Sequence, residues 1–313
     1  MRHLTSRSYE WIVEGDIKAC FDEISHSALM DRVRGRVGDK RVLALVKAFL
    51  KAGILTEDGT LADTDAGSPQ GSILSPLLSN VALAVLDEHI AQAPGGPAAS
   101  PYRRAKRRAQ GLPNYRLCRY ADDWCLVVAG TRADAEALRE ETAKVLSTMG
   151  LRLSPEKTLI THIDEGLDFL GWRIQRHQKK GTNRYFVYTY PSKKALGAVK
   201  DRVRTLCRQD VNLPLAVLRH RLNRMLKGWT AYFRYGVSHA TFQYLRAFTW
   251  RQVMGWLRRK YRRVNWKELR RRFCDGRWWP ADGEAMLFDP ARVRTIRYLY
   301  RGAQIPSPWP STA

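Results

Sequence analysis

Two strand-favouring runs, Tyr115-Arg116-Leu117-Cys118 and Cys125-Leu126-Val127-Val128-Ala129, flank the segment Arg119-Tyr120-Ala121-Asp122-Asp123-Trp124. Aromatic and β-branched residues favour the pleated strand, and two such runs separated by a short polar break fold as a hairpin. The pattern therefore places two adjacent carboxylates at a hairpin tip. With Ala121 and Asp122 as the central turn residues, Cys118 and Cys125 fall opposite each other across the strands. Asp tolerates tight turns, so an ordinary solvated loop is the competing reading of the acids. The rest of the chain has to decide between the two.

With 313 residues, 44% of them hydrophobic, the chain can bury a substantial core and is expected to form more than one domain. It has no run of eighteen apolar residues, and Met1-Arg2-His3-Leu4-Thr5-Ser6-Arg7 lacks the apolar stretch of a secretory signal, so a cytoplasmic protein is expected. The five cysteines (Cys20, Cys118, Cys125, Cys207, Cys274) form no C-x-x-C pair, which leaves a zinc ribbon or a disulfide framework without support. Packed thiols are the reading for Cys118 and Cys125, with a redox switch as the alternative. The net charge of +24 is unevenly spread: −3 over residues 1–100, +10 over 101–200 and +17 over 201–313. Seven of the ten Trp also lie beyond residue 200. Mixed basic and aromatic side chains suit a nucleic acid better than a membrane surface, for which no lipidation signal or isolated amphipathic anchor is present.

Along the chain, Trp11-Ile12-Val13-Glu14-Gly15-Asp16 reads as a strand delivering Asp16 to an edge, followed by a helix from about His26 to Arg36 capped by Ser25. Residues 38–51 space Val42, Leu45, Val46 and Phe49 as the core face of a helix, and 53–65 form a hairpin-like stretch turning at Asp58-Gly59. The loop Ala66-Gly67-Ser68-Pro69-Gln70-Gly71-Ser72 leads into an apolar helix ending near Ile90. It offers close backbone approach at Gly71, an amide at Gln70 and helix N–H groups to an anion, although on its own a plain loop with a helix cap is the favoured reading. Residues 94–111 read as a mobile Pro/Gly/Ala linker with a charge run able to touch phosphates. A helix opens at Thr131 and stops at Gly150, and Leu167–Ile174 is a strand with a glycine break. From Lys193 the pattern is largely helical, and a helix over Leu215–Tyr235 sets Leu218, Leu222, Met225, Leu226, Trp229 and Phe233 against a basic face of Arg219, Arg221, Arg224, Lys227 and Arg234. A second helix, about Thr241 to Tyr261, ends in Arg258-Arg259-Lys260.

Three acids on a sheet, Asp16 at a strand end and Asp122 and Asp123 at a hairpin tip, match the needs of two-metal phosphoryl transfer. Mg²⁺ takes hard carboxylate oxygens while keeping waters and substrate phosphates as further ligands. Spacing alone does not separate a polymerase from a nuclease.

The segments Asp16-Ile17-Lys18-Ala19-Cys20-Phe21, Gly67-Ser68-Pro69-Gln70-Gly71-Ser72-Ile73-Leu74-Ser75-Pro76 and Tyr120-Ala121-Asp122-Asp123, in that order, resemble the palm motifs of reverse transcriptases. Ser154-Pro155-Glu156-Lys157-Thr158 and Phe169-Leu170-Gly171-Trp172 resemble the two blocks that follow, and the stretch from Leu222 to Arg234 is similar to the maturase-specific, thumb-like region of group II intron proteins. The resemblance implies an α+β fold: an antiparallel palm sheet with packed helices over 1–190, including partial fingers and the basic insertion 94–111. A helical thumb/maturase domain over 191–264 and a basic aromatic extension over 265–313 would follow. It implies an RNA-directed DNA polymerase that extends a DNA 3′-hydroxyl on intron RNA using dNTPs and two Mg²⁺, with a splicing role. Asp16 and Asp122 would bind the metals, with Asp123 less directly engaged. Phe21 would be the steric gate beneath the sugar, Gln70 and Gly71 would hold nucleotide and template, and Lys157 would lie near the active site. Arg219, Arg224, Lys227, Arg234, Arg258, Arg259 and Lys260 would grip nucleic acid. Only fifteen residues precede the first motif, so an N-terminally truncated member lacking most of the fingers is expected. The C-terminus lacks the His/Cys/Asn cluster of an HNH endonuclease, so no such domain is expected. The alternatives are an RNA-binding maturase or remnant that does not polymerise, and a reverse transcriptase recruited to phage defence or a CRISPR system.

Overall fold

The computed structural model describes residues 1–296 except 7, 53, 56–60, 63–65, 69–71, 209–210, 275–277 and 283–284. It divides into two compact units, Met1–Leu167 and Asp168–Pro306.

The first unit runs α1 (Arg2–Thr5), β1 (Trp11–Gly15), α2 (Cys20–Glu23), α3 (His26–Arg34), α4 (Lys40–Leu50), β2 (Ile54–Leu55), β3 (Leu61–Ala62), α5 (Ser75–Gln92), α6 (Pro101–Ala109), β4 (Asn114–Tyr120), β5 (Asp123–Ala129), α7 (Arg132–Ser147) and β6 (Leu159–His162). The main sheet has the order β4-β5-β1-β6 with antiparallel pairing throughout. β5 reads as an unbroken apolar run because it is interior: Trp124 to Ala129 are all buried. Val13, Trp124, Leu126 and Val128 meet Leu29, Leu83, Leu86, Leu138 and Leu146 from α3, α5 and α7 in one core. Each fully buried Leu there contributes roughly 1.5–3 kcal/mol. Local chemistry fixes the helix starts. The Ser25 hydroxyl accepts from the Ala28 N–H, and Thr131 and Asp134 form a reciprocal capping box.

Two expectations are corrected here. On α4 the inward stripe is Leu43, Val46, Phe49 and Leu50, whereas Val42 and Leu45 lie exposed on the outer side. The helix carries apolar residues on two adjacent stripes, and only packing against α3 in the core selects one. Residues 94–111 are also no mobile linker. The Gly95 carbonyl accepts from the Tyr115 N–H at 2.9 Å, and Pro101–Ala109 is a helix capped by Ser100, with Arg107 donating to the Pro113 carbonyl. β2 and β3 pair as the hairpin reading requires, but the Asp58-Gly59 turn lies outside the described residues.

The second unit holds β7 (Leu167–Phe169), β8 (Trp172–Gln178) and β9 (Tyr185–Pro191) in one sheet, followed by α8 (Lys193–Arg208), α9 (Leu215–Phe233), α10 (His239–Lys260), α11 (Trp266–Phe273), the short pair β10 (Ala281–Asp282) and β11 (Ala285–Met286), and a 3₁₀ turn at Pro290–Arg292. Leu170 (φ +50°) and Gly171 (φ +78°) make the break between β7 and β8. Val203, Leu218, Leu222, Leu226, Leu245 and Trp256 sit in the helical core. Among the described residues no helix is long and apolar enough to cross a membrane.

Candidate active site

The site is built where β1 ends against the β4–β5 hairpin. Gly15 is paired with Trp124 in the last rung of the β1–β5 ladder, so Asp16 leaves the sheet beside the start of β5 at Asp123, which Asp122 precedes in the turn. Gly15 is required there by space: a Cβ would fall inside the Trp124 indole, and that ring is only 2% exposed. The turn is tight. Tyr120 pairs with Asp123, and Ala121 adopts φ +55°, a left-handed conformation that L-residues other than Gly, Asn and Asp rarely take. Arg119 holds the tip in place, donating to Asp87 and Asn80 on α5 and to the Ala121 carbonyl at 2.9 Å.

The β1 end is braced from the other side. The Ser154 N–H donates to the Asp16 carbonyl at 2.8 Å and the Lys18 N–H to the Arg152 carbonyl at 2.9 Å. This brings Lys157 Nζ to 3.3 Å from Asp16 Oδ2 in a pair whose side chains are 69% and 41% exposed. Such a pair is worth about 0–1 kcal/mol, so it holds Asp16 only loosely. On α2, burial pushes the Cys20 thiol up to about 12, and the Asp122 carboxylate adds to the rise. The Asp122 charge is therefore felt by the helix that follows Asp16.

Phe21 is half-buried, and its carbonyl accepts from the Ser68 N–H at 2.6 Å. Gly67 N–H donates to the Ile24 carbonyl, and His26 Nε2 lies 2.6 Å from the Gly67 oxygen. Gly67 stands at φ +85°, where a Cβ would lie 2.6 Å from the Asp22 carbonyl oxygen, so only glycine lets this loop clamp onto the Phe21 turn. Gln70 and Gly71, one step further, lie outside the described residues. At the start of α5, the Ser72 hydroxyl already accepts from the N–H groups of Leu74 and Ser75.

Among the described residues no three His, Cys, Asp or Glu side chains are gathered closely enough to hold a metal unaided. The donors present still suit a hard cation. Asp122 and Asp123 are exposed, Asp16 is partly so, and Mg²⁺ completes its shell with water and substrate phosphates. Cys118 faces Cys125 across the hairpin, both unbridged, and the Cys125 thiol donates to the Cys118 carbonyl at 3.7 Å. The neighbouring Cys118, ahead of burial, holds the Cys125 thiol well above the ordinary thiol range.

Residues 2–174 match the family described as "Reverse transcriptase (RNA-dependent DNA polymerase)", and residues 196–274 match "Group II intron, maturase-specific domain". The chain belongs to the group II intron reverse transcriptase/maturase family. The chain is 37% identical over 199 residues to "Protein YkfC" of Escherichia coli (strain K12), covering 59% of this chain and 52% of that protein. It is 32% identical over 216 residues to "Group II intron-encoded protein LtrA" of Lactococcus lactis subsp. cremoris, covering 55% of this chain and 36% of that one. It thus spans about half the length of the first relative and about a third of the second. A telomerase structure from Candida albicans aligns with 84% of this chain and 49% of its own, at a TM-score of 0.42 and 12% identity, too distant a likeness to add to the family matches.

In the second unit the basic residues divide into two groups. Arg224, Lys227 and Arg258 are exposed. By contrast, Lys260 is half-buried and donates to the Val211 and Leu213 carbonyls at 2.8 Å, while Arg259, though exposed, donates to the Cys207 carbonyl at 2.5 Å, so both tie the α8–α9 connection to α10. Arg219 donates to the Ala285 carbonyl, and Arg234 is half-buried with its guanidinium 6.0 Å over the Tyr235 ring.

Sequence reasoning missed Arg119, Asp87 and the seat of Trp124 on Gly15. The glycine immediately before Asp16 was a usable signal, since glycine inside a strand marks close approach. The Arg119–Asp87 pair spans 32 residues and left no local trace.

Proposed function

We propose that the chain is an RNA-directed DNA polymerase of group II intron type, which extends a DNA 3′-hydroxyl on an intron RNA template and also binds that RNA to support splicing. The observation that carries this reading is the β1–β5 register, which delivers Asp16 to the hairpin bearing Asp122 and Asp123 although more than a hundred residues separate them in the chain. Two bound Mg²⁺ would supply activation of the primer hydroxyl and stabilisation of the departing pyrophosphate. Asp16 and Asp122 would hold them, and Asp123 would be less directly engaged. Phe21 lies beneath the sugar position in this reading and excludes a 2′-hydroxyl, while Gln70 and Gly71 hold nucleotide and template. Lys157 supplies a counter-charge to Asp16, and would compete with a divalent cation for that carboxylate. Arg224, Lys227 and Arg258 meet phosphates, the cytoplasm is the compartment, and no membrane is involved.

The test is primer extension on an RNA template with Mg²⁺ and dNTPs, by the chain and by Asp122→Ala. The expected result is extension by the first and its loss in the second. Extension by neither, or equally by both, overturns the polymerase reading. A second reading, RNA binding in splicing without polymerisation, is favoured by the +17 charge of residues 201–313. It predicts intron RNA binding unaffected by Asp122→Ala in a chain that never extends a primer.

A further inference from the structure

The second unit contains a feature that polymerisation does not use. A cavity of about 380 Å³ is lined by Arg246, Ala247, Trp250, Arg251, Trp278 and Trp279, within the roughly 300–1,000 Å³ range of small-ligand sites. Its wall is made by an unusual backbone. Trp278 sits at φ +67°, an outlier for a bulky residue. The residue is pinned there from several sides. The Trp250 indole N–H donates to the Trp278 carbonyl at 2.8 Å, and the Arg270 guanidinium lies 3.2 Å over the Trp278 ring. Next in the chain, Trp279 is buried and its indole donates to the Leu287 carbonyl at 2.6 Å. The consequence is a large aromatic ring, 48% exposed, presented at a cavity rather than packed into the core.

The surrounding charge says what the ring faces. Arg246, Arg251 and Arg270 surround it, with Arg271 and Arg272 on α11 close in sequence. Among the described residues, Asp289 pairs with Arg246 and Arg292, and Glu268 with Arg271 and Arg272, which leaves Arg251 and Arg270 outside these ion pairs. An exposed indole with a surplus of guanidinium groups suits a ligand that offers both a π-face and a phosphate. We infer that this cavity is a binding site for an unpaired nucleotide, whose base stacks at Trp278 and Trp250 and whose phosphate meets Arg251. The inference rests on the helical unit meeting nucleic acid, and is independent of polymerisation.

Fluorescence anisotropy on the full chain tests it, using a short labelled oligouridine, its deoxy counterpart and a blunt RNA duplex. Trp278→Gly, which removes the ring at a φ that glycine accepts freely, is expected to weaken single-strand binding by about ten-fold, the size of one base–aromatic stack, and to leave duplex binding unchanged. Trp278→Phe is expected to keep most of the affinity. RNA and DNA strands affected alike assign the site to any unpaired base, and an effect on RNA alone assigns it to RNA. Unchanged single-strand binding by Trp278→Gly, or an equal loss for duplex, overturns the proposal while leaving general nucleic-acid binding standing. Should Trp278→Gly melt early, photo-crosslinking of the unaltered chain to a 4-thiouridine oligonucleotide decides. Crosslinks at Trp250 or Trp278 support the site, and crosslinks only elsewhere overturn it.

Discussion

Single side chains at the hairpin should reveal themselves through separate measurements. Gly15→Ala forces a methyl group into the Trp124 indole, an overpacking that costs about 1–3 kcal/mol. The expected outcome is a lower denaturation midpoint together with reduced primer extension, because the strand end carrying Asp16 must shift. Lys157→Met removes the cation that competes for Asp16, and so should lower the Mg²⁺ concentration giving half-maximal extension. An unchanged or higher Mg²⁺ requirement would count against the counter-charge role. Cys20 supplies a pH signature. Its thiol is raised to about 12, so between the ordinary thiol value and about 12 the unfolded chain gives up this proton while the folded chain keeps it. Stability must then fall as pH rises through that interval. Urea midpoints of Cys20→Ala, measured across the same interval, should fall less steeply than those of the parent chain.

Elements differ in how openly the sequence announces them. Ser25 and the Thr131/Asp134 box marked two helix starts because capping depends on residues within one turn, and the β4–β5 hairpin was legible because its register follows from a two-residue turn. The inward stripe of α4 was not, since Val42 and Leu45 satisfy helical spacing as well as Leu43 and Leu50 do, and only packing against α3 chooses between them. The Pro/Gly-rich stretch from Pro94 looked like a linker because composition cannot show that the Gly95 carbonyl receives the Tyr115 N–H. At the site, the order of the acid-bearing segments could be read, but not the bracing of the hairpin by α5. That bracing is measurable. A double-mutant cycle on Arg119→Ala and Asp87→Ala should give a coupling of about 1–3 kcal/mol, because both side chains are mostly buried. A coupling near zero would mean that α5 does not hold the tip.

For the molecule as a whole, the charge gradient sets how nucleic-acid binding responds to salt. Affinity should fall linearly on a log–log plot against salt concentration, and Arg224→Ala or Arg258→Ala should each reduce the slope by about one while leaving the melting temperature unchanged. Lys260→Ala should do the reverse, lowering the melting temperature because its ammonium holds the Val211 and Leu213 carbonyls. The main sheet carries a further consequence, one of timing. β1 lies between β5 and β6, so neither of its neighbours exists until the ribosome has passed residue 123. At roughly 5–20 residues per second, the strand leading to Asp16 waits on the order of 5–20 s for its first partner. Throughout that interval Ile12 and Val13 belong to a nascent chain whose strand has no partner, and the acids cannot yet meet.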